Sequence, residues 1–162
     1  VKRWQWVHKL LATGFGAGYS PVAPGTAGAV VALVIIGLMQ HAGIFSHIHY
    51  SLGLGILILV FLTIGVKVSN LLETYWGKDP SKIVIDEMVG VWIALLFTPY
   101  GWKIIISGFV LFRIFDIWKP LGIRRMENLP GGWGVMMDDV VAGVYSNLVL
   151  QVILFTGWLD MI

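Results

Sequence analysis

The sequence predicts an all-α, polytopic helical membrane protein, and three observations carry that reading. Of its 162 residues 57% are hydrophobic and 12% charged, with a mean hydropathy of +0.83, a balance far from that of soluble domains. The apolar residues gather in about five helical blocks, at 27–45, 51–68, 88–99, 103–117 and 140–158, with nearly all the charge between them. The blocks are continuous, without the alternation of a barrel strand, and too few to close a barrel. The length fits a single domain, 1–162. The absence of cysteine excludes a thiol nucleophile, a Cys-ligated metal and disulfides, and a net charge of +2 is too mild to point to nucleic acid.

The chain opens on Lys2, Arg3, Trp4, Trp6 and Lys9, which interrupt any apolar core, so no secretory signal is expected there. Trp beside Lys suits a short amphipathic segment at headgroup depth, and a frayed, solvated end accounts for it equally well. Two glycine-rich runs follow the same plan: Gly14-Phe15-Gly16-Ala17-Gly18 leads to Pro24-Gly25-Thr26-Ala27-Gly28, and Gly131-Gly132-Trp133-Gly134 precedes Asp138-Asp139. Each opens onto a helix, where exposed N–H groups make an anion nest. Turns and close helix packing are the alternative, favoured at Gly28 and Gly90. No strand precedes the first run, so a dinucleotide fold is excluded.

The first, second and fifth blocks reach the ~20 residues needed to cross hydrocarbon. The third and fourth are shorter, and are expected to extend into their flanks or to be re-entrant. Ten of the eleven Lys and Arg fall before the first block, between the second and third, or between the fourth and fifth; Lys103 alone lies on the other side. The positive-inside rule therefore places the N-terminus in the cytoplasm and the C-terminus outside. His41, His47 and His49 fall outside and read as solvated loop residues rather than metal ligands.

Eight of the nine carboxylates share the cytoplasmic side, Asp160 being the exception. Asp86 and Glu87 begin the third block, Asp116 ends the fourth, and Asp138 and Asp139 begin the fifth. At such depth carboxylates are costly unless paired, metal-bound or facing water. Helix starts attract Asp and Glu and account for Asp86 or Asp138, but not for Asp116 at a helix C-terminus. A metal site is the favoured reading, and an all-oxygen set selects Mg²⁺ ahead of Ca²⁺ or Mn²⁺. Arg113 and Lys119 lie along one helical face with Asp116, and suit a phosphate ester. Arg124 and Arg125 are balanced between that role and a lipid-headgroup anchor.

Four ordered segments carry a resemblance over nearly the whole chain: 14–18 with 20–26; Lys78-Asp79-Pro80-Ser81-Lys82-Ile83-Val84-Ile85-Asp86-Glu87-Met88-Val89-Gly90; Phe112-Arg113-Ile114-Phe115-Asp116-Ile117-Trp118-Lys119-Pro120; and Gly131-Gly132-Trp133-Gly134 through Asp138-Asp139 to Gly143. Together they resemble phosphatidylglycerophosphatase A, a family of bacterial membrane phosphatases of phosphatidylglycerol synthesis. Two positions depart from its pattern, Ala29 where Ser is common and Gly122 where Pro is common; neither removes a carboxylate.

The resemblance implies Mg²⁺-dependent hydrolysis of phosphatidylglycerophosphate to phosphatidylglycerol and phosphate, at the cytoplasmic face of the bacterial inner membrane. Asp86, Glu87, Asp116, Asp138 and Asp139 are then the candidate metal and catalytic residues, and Arg113, Lys119, Arg124, Gly25, Thr26 and Gly132 the candidate phosphate contacts. Water attack and an aspartyl-phosphate intermediate both remain open. An Mg²⁺-dependent lipid headgroup transferase is the enzyme alternative, although the spacing of the alcohol phosphatidyltransferases is missing. An ion transporter predicts a file of carboxylates through the membrane instead of one layer.

Overall fold

A computed structural model describes residues 2–44, 50–77 and 80–157 of the chain. His47, His49, Lys78, Asp79 and Asp160 lie outside the described residues. Within them the chain is all-helical: α1 (Lys2–Ala12), α2 (Pro24–His41), α3 (Tyr50–Trp76), α4 (Ile85–Ala94), α5 (Trp102–Trp118) and α6 (Gly132–Phe155), with 3₁₀ turns at Ala17–Tyr19 and Ile123–Asn128. Three of these, α2, α3 and α6, are long and apolar enough to cross a membrane. They contain the second block and most of the first and fifth.

The other two blocks behave differently. Helix α4 has 10 residues and α5 has 17, or roughly 15 and 26 Å at 1.5 Å per residue against a hydrocarbon core of ~30 Å. Beyond Asp86 and Glu87 the residues of α4 are apolar on every side, and all of α4 but Glu87 is buried, as a helix segment without a polar face must be. It packs against α2, α3, α5 and α6. Trp92 fixes its position, donating Nε1–H to Ala32 O at 3.0 Å and meeting Phe61 edge to face.

A helix that stops inside a bundle leaves carbonyls unpaired. Here α6 supplies their donors: Asn147 Nδ2 reaches Ala94 O at 3.0 Å and Leu96 O at 2.7 Å, and Gln151 Nε2 reaches Phe97 O at 3.1 Å. Small residues let the helices close up. A Cβ at Gly28 would strike Val84, and one at Gly90 would strike the Phe112 ring and approach Asp139 O.

Of the boundaries that move relative to the apolar blocks, two bear on the core and the carboxylates. Helix α3 continues past 68 because Ser69 and Leu72 carry on its buried stripe. Helix α6 starts at Gly132, with Val135 and Met136 already buried. Asp138 and Asp139 therefore stand in the second turn of α6, beyond the reach of N-terminal dipole stabilisation, which fades within the first turn. The helix-start explanation survives only for Asp86 and Glu87, in the first turn of α4.

Candidate active site

Where α2, α4 and α6 begin and α5 ends, a cavity of about 370 Å³ opens, lined by Ala23, Pro24, Gly25, Ser81, Ile83, Asp86, Glu87, Arg113, Asp116, Ile117, Lys119, Asp138 and Asp139. Carboxylate oxygens of Asp86, Glu87 and Asp139 lie within 4.8 Å of one another, and Asp86, Asp138 and Asp139 are buried. Like charges so close repel unless a proton or cation stands among them. Glu87 Oε2 is buried without a hydrogen-bond partner among the described residues, an orphaned acceptor that a hard divalent ion satisfies. The donor set fits such an ion.

The cations are placed beside this cluster. Arg113 Nη1 donates to Asp116 Oδ2 at 2.5 Å, one turn along α5, which compensates a carboxylate at an unfavourable helix end. Arg113 Nε is buried and has no partner among the described residues. Lys119 Nζ donates to Asp138 Oδ2 at 2.6 Å and to Glu127 Oε1 at 2.7 Å. Burial disfavours its charge, but the bonds to Asp138 and Glu127 outweigh that and hold its pKa above the usual lysine range. A third N–H remains on Nζ.

Backbone geometry shapes the cavity wall. Ala23 and Lys119 line it in the left-handed region, at φ 47° and 46°, an unfavourable conformation for residues other than glycine that concentrates at functional sites. Ala23 turns the chain directly into α2, whose first-turn N–H groups have no side-chain cap. Gly25 stands in that turn, and a Cβ there would collide with Glu87 Oε1 and crowd Arg113 Nη1.

All five candidate carboxylates, with Arg113, Lys119 and Gly25, thus share one cavity at one end of the helices, not a file along them. Thr26, Arg124 and Gly132 do not line it. Arg124 is exposed, and Gly132 donates its N–H to Asn70 Oδ1 at 2.7 Å, capping α6. Three participants escaped sequence reasoning. Ser81 lines the cavity from the turn before α4, and its place between Pro80 and the acidic pair is the one signal that marks it. Asn70, as the cap of α6, meets a segment 62 residues away, and Glu127 meets Lys119 only because the chain turns back between α5 and α6, so neither leaves a local signal.

A carboxylate cluster flanked by Arg and Lys lies at one end of helices apolar enough to cross a bilayer, and the family and relatives of the chain define its class: a lipid phosphatase. The chain belongs to the phosphatidylglycerophosphatase A family, whose model matches residues 10–154. It is 41% identical over 147 residues to phosphatidylglycerophosphatase A of Escherichia coli (strain K12), covering 89% of this chain and 81% of that protein. The Haemophilus influenzae phosphatidylglycerophosphatase A is 37% identical over 149 residues, covering 87% and 85%. A Bacteroides thetaiotaomicron protein, provisionally named a phosphatidylinositol-3-phosphatase, is 49% identical over 156 residues, covering 94% and 96%. No solved structure matches the chain.

Proposed function

We propose that the chain hydrolyses the phosphomonoester of phosphatidylglycerophosphate, releasing phosphatidylglycerol and inorganic phosphate with the help of Mg²⁺. The observation that carries this reading is the convergence of Asp86, Glu87 and Asp139 beside Arg113 in a chain of this family. Those three residues would hold the ion, with Asp116 and Asp138 alongside. Bound there, Mg²⁺ would offset the charge that builds on the phosphoryl oxygens. Arg113 offers its unpartnered Nε to a phosphate oxygen, and the N–H groups opening α2 offer more. Asp116 and Lys119 act as anchors, holding Arg113 and Asp138 in one orientation before substrate arrives.

The whole of 1–162 works as one unit in this reading. Lys9, Lys82, Arg113, Lys119, Arg124 and Arg125 all belong to segments at the cavity end, and Lys103 to the opposite end, so the cavity faces the cytoplasm across a bacterial inner membrane.

A second reading is favoured by the Bacteroides relative: the phosphomonoester sits on phosphatidylinositol. Phosphate release from detergent-solubilised protein separates the two, using phosphatidylglycerophosphate and phosphatidylinositol 3-phosphate, each with Mg²⁺ and with EDTA, and Asp139→Asn as control. Release from the first lipid that needs Mg²⁺ and vanishes in the variant is expected. Release from the inositol lipid alone would replace the substrate, and release from neither would overturn the phosphatase reading.

A further inference from the structure

The lipid proposed above carries two phosphates: the phosphomonoester that is cleaved, to which the cavity presents Arg113, and the phosphodiester that joins the polyol to diacylglycerol. Beside the mouth of the cavity the chain carries a second cationic feature that the hydrolytic reading leaves unused. Ser81 is exposed on the cavity wall, and the next residue, Lys82, holds its Nζ 6.0 Å from the ring centroid of Tyr19 and 6.0 Å from that of Trp76. From α1, Lys9 Nζ stands 5.7 Å from the same Trp76 ring. Neither lysine makes an ion pair among the described residues.

Two ammonium groups sharing one indole, with no ion pair among the described residues, leave positive charge there that cation–π contact offsets only in part. The arrangement is held by backbone and not by side chains alone. Val84 N–H donates to Ala12 O at 2.8 Å, tying the turn before α4 to the end of α1. Gly18 packs against the carbonyl of Lys82, where any Cβ would collide. The first glycine-rich run thus sets Tyr19 beside Lys82, away from the cavity lining.

Resting on the phosphatase reading, we propose that Lys82 and Lys9, on the Tyr19 and Trp76 platform, form a second anion subsite that takes the lipid phosphodiester while the phosphomonoester occupies the cavity. The subsite selects lipids in which a polyol separates the two phosphates. Phosphatidate, with a single phosphate directly on diacylglycerol, cannot engage both sites.

The test is the Lys9→Gln/Lys82→Gln double variant in neutral detergent micelles with saturating Mg²⁺, assayed on phosphatidylglycerophosphate and on phosphatidate, with product inhibition by phosphatidylglycerol as a second readout. The expected result is a KM for phosphatidylglycerophosphate raised about tenfold with little change in kcat, equivalent to ~1.4 kcal/mol. The preference over phosphatidate and the inhibition by phosphatidylglycerol weaken in parallel, and Lys82→Arg with native Lys9 retains both. An unchanged KM, an unchanged product inhibition, or an equal loss on both lipids, as a general interfacial anchor would give, overturns the subsite. A wild-type protein that cleaves neither lipid overturns instead the phosphatase reading beneath it.

Discussion

Lys119 Nζ lies 2.6 Å from Asp138 Oδ2, so the residue that ends α5 is tied to the second turn of α6 across the cavity floor. The same ammonium holds Glu127 in the 3₁₀ turn between the two helices. Lys119→Met leaves Asp138 buried and short of its ammonium partner, which is expected to cost about 1–3 kcal/mol and to be read as a lower Tm in detergent. Because the folded pKa of Lys119 is raised, its contribution is full below the ordinary lysine range and fades only as pH climbs through the raised value. The wild-type advantage over Lys119→Met should therefore be flat between pH 6 and about 9. A loss of that advantage within this window would show that the bridge is not what stabilises the floor.

The acidic triad makes a prediction in two directions. Asp86→Asn, Glu87→Gln and Asp139→Asn each remove one charge from a cluster of mutually repelling oxygens, so each should leave the Mg²⁺-free protein as stable as wild type or more so. The same substitutions should abolish most of the thermal stabilisation by Mg²⁺ and lower turnover more than about a hundredfold, since even outer-shell changes cost 10–100-fold. Near wild-type turnover in both Asp86→Asn and Asp139→Asn at saturating Mg²⁺ would remove these residues from the metal site.

How far the site was legible depended on contrast. Charges stand out against apolar helices, so Asp86, Glu87, Arg113, Asp116, Asp138 and Asp139 could be picked out, and α5 periodicity put Arg113 near Asp116, where the structure pairs them. Depth was less legible. Glycine, methionine and tryptophan in 132–137 blur the hydropathy edge of α6, so Asp138 and Asp139 read as a helix start although they lie a turn and a half inside. The 88–99 block merges the last seven residues of α4 with the turns that follow it, since Leu95, Leu96 and Phe97 are as apolar as a helix interior. Asn70, which accepts from Gly132 N–H, and Asn147, which donates to Ala94 O, act across 62 and 53 residues of sequence, and no local pattern announces them.

Gly25→Ala tests the closeness of α2 to the site. The added methyl group would fall on Glu87 Oε1 and against Arg113 Nη1, while elsewhere alanine favours the helix by up to about 1 kcal/mol. The expected outcome is an active-site loss without an equal loss of fold: turnover down at least about tenfold, a weaker response to Mg²⁺, and a Tm shifted by only a few degrees. Unchanged turnover and Mg²⁺ response would mean that α2 gives way freely and does not set the position of Glu87.

Asn147→Leu tests how a ten-residue helix persists inside an apolar bundle. Asn147 Nδ2 is bonded to both Ala94 O and Leu96 O, and the side chain is half-buried on α6. Leucine of similar size keeps the packing and removes both donors, leaving carbonyls at the end of α4 unpaired where water is scarce. Leaving buried polar groups unsatisfied costs about 1–3 kcal/mol, and α4 carries Asp86 and Glu87 at its other end. The variant should therefore lose stability and Mg²⁺-dependent turnover together, with Asn147→Gln intermediate because it retains an amide at altered reach. A leucine variant as stable and as active as wild type would show that α4 is held by its apolar contacts alone.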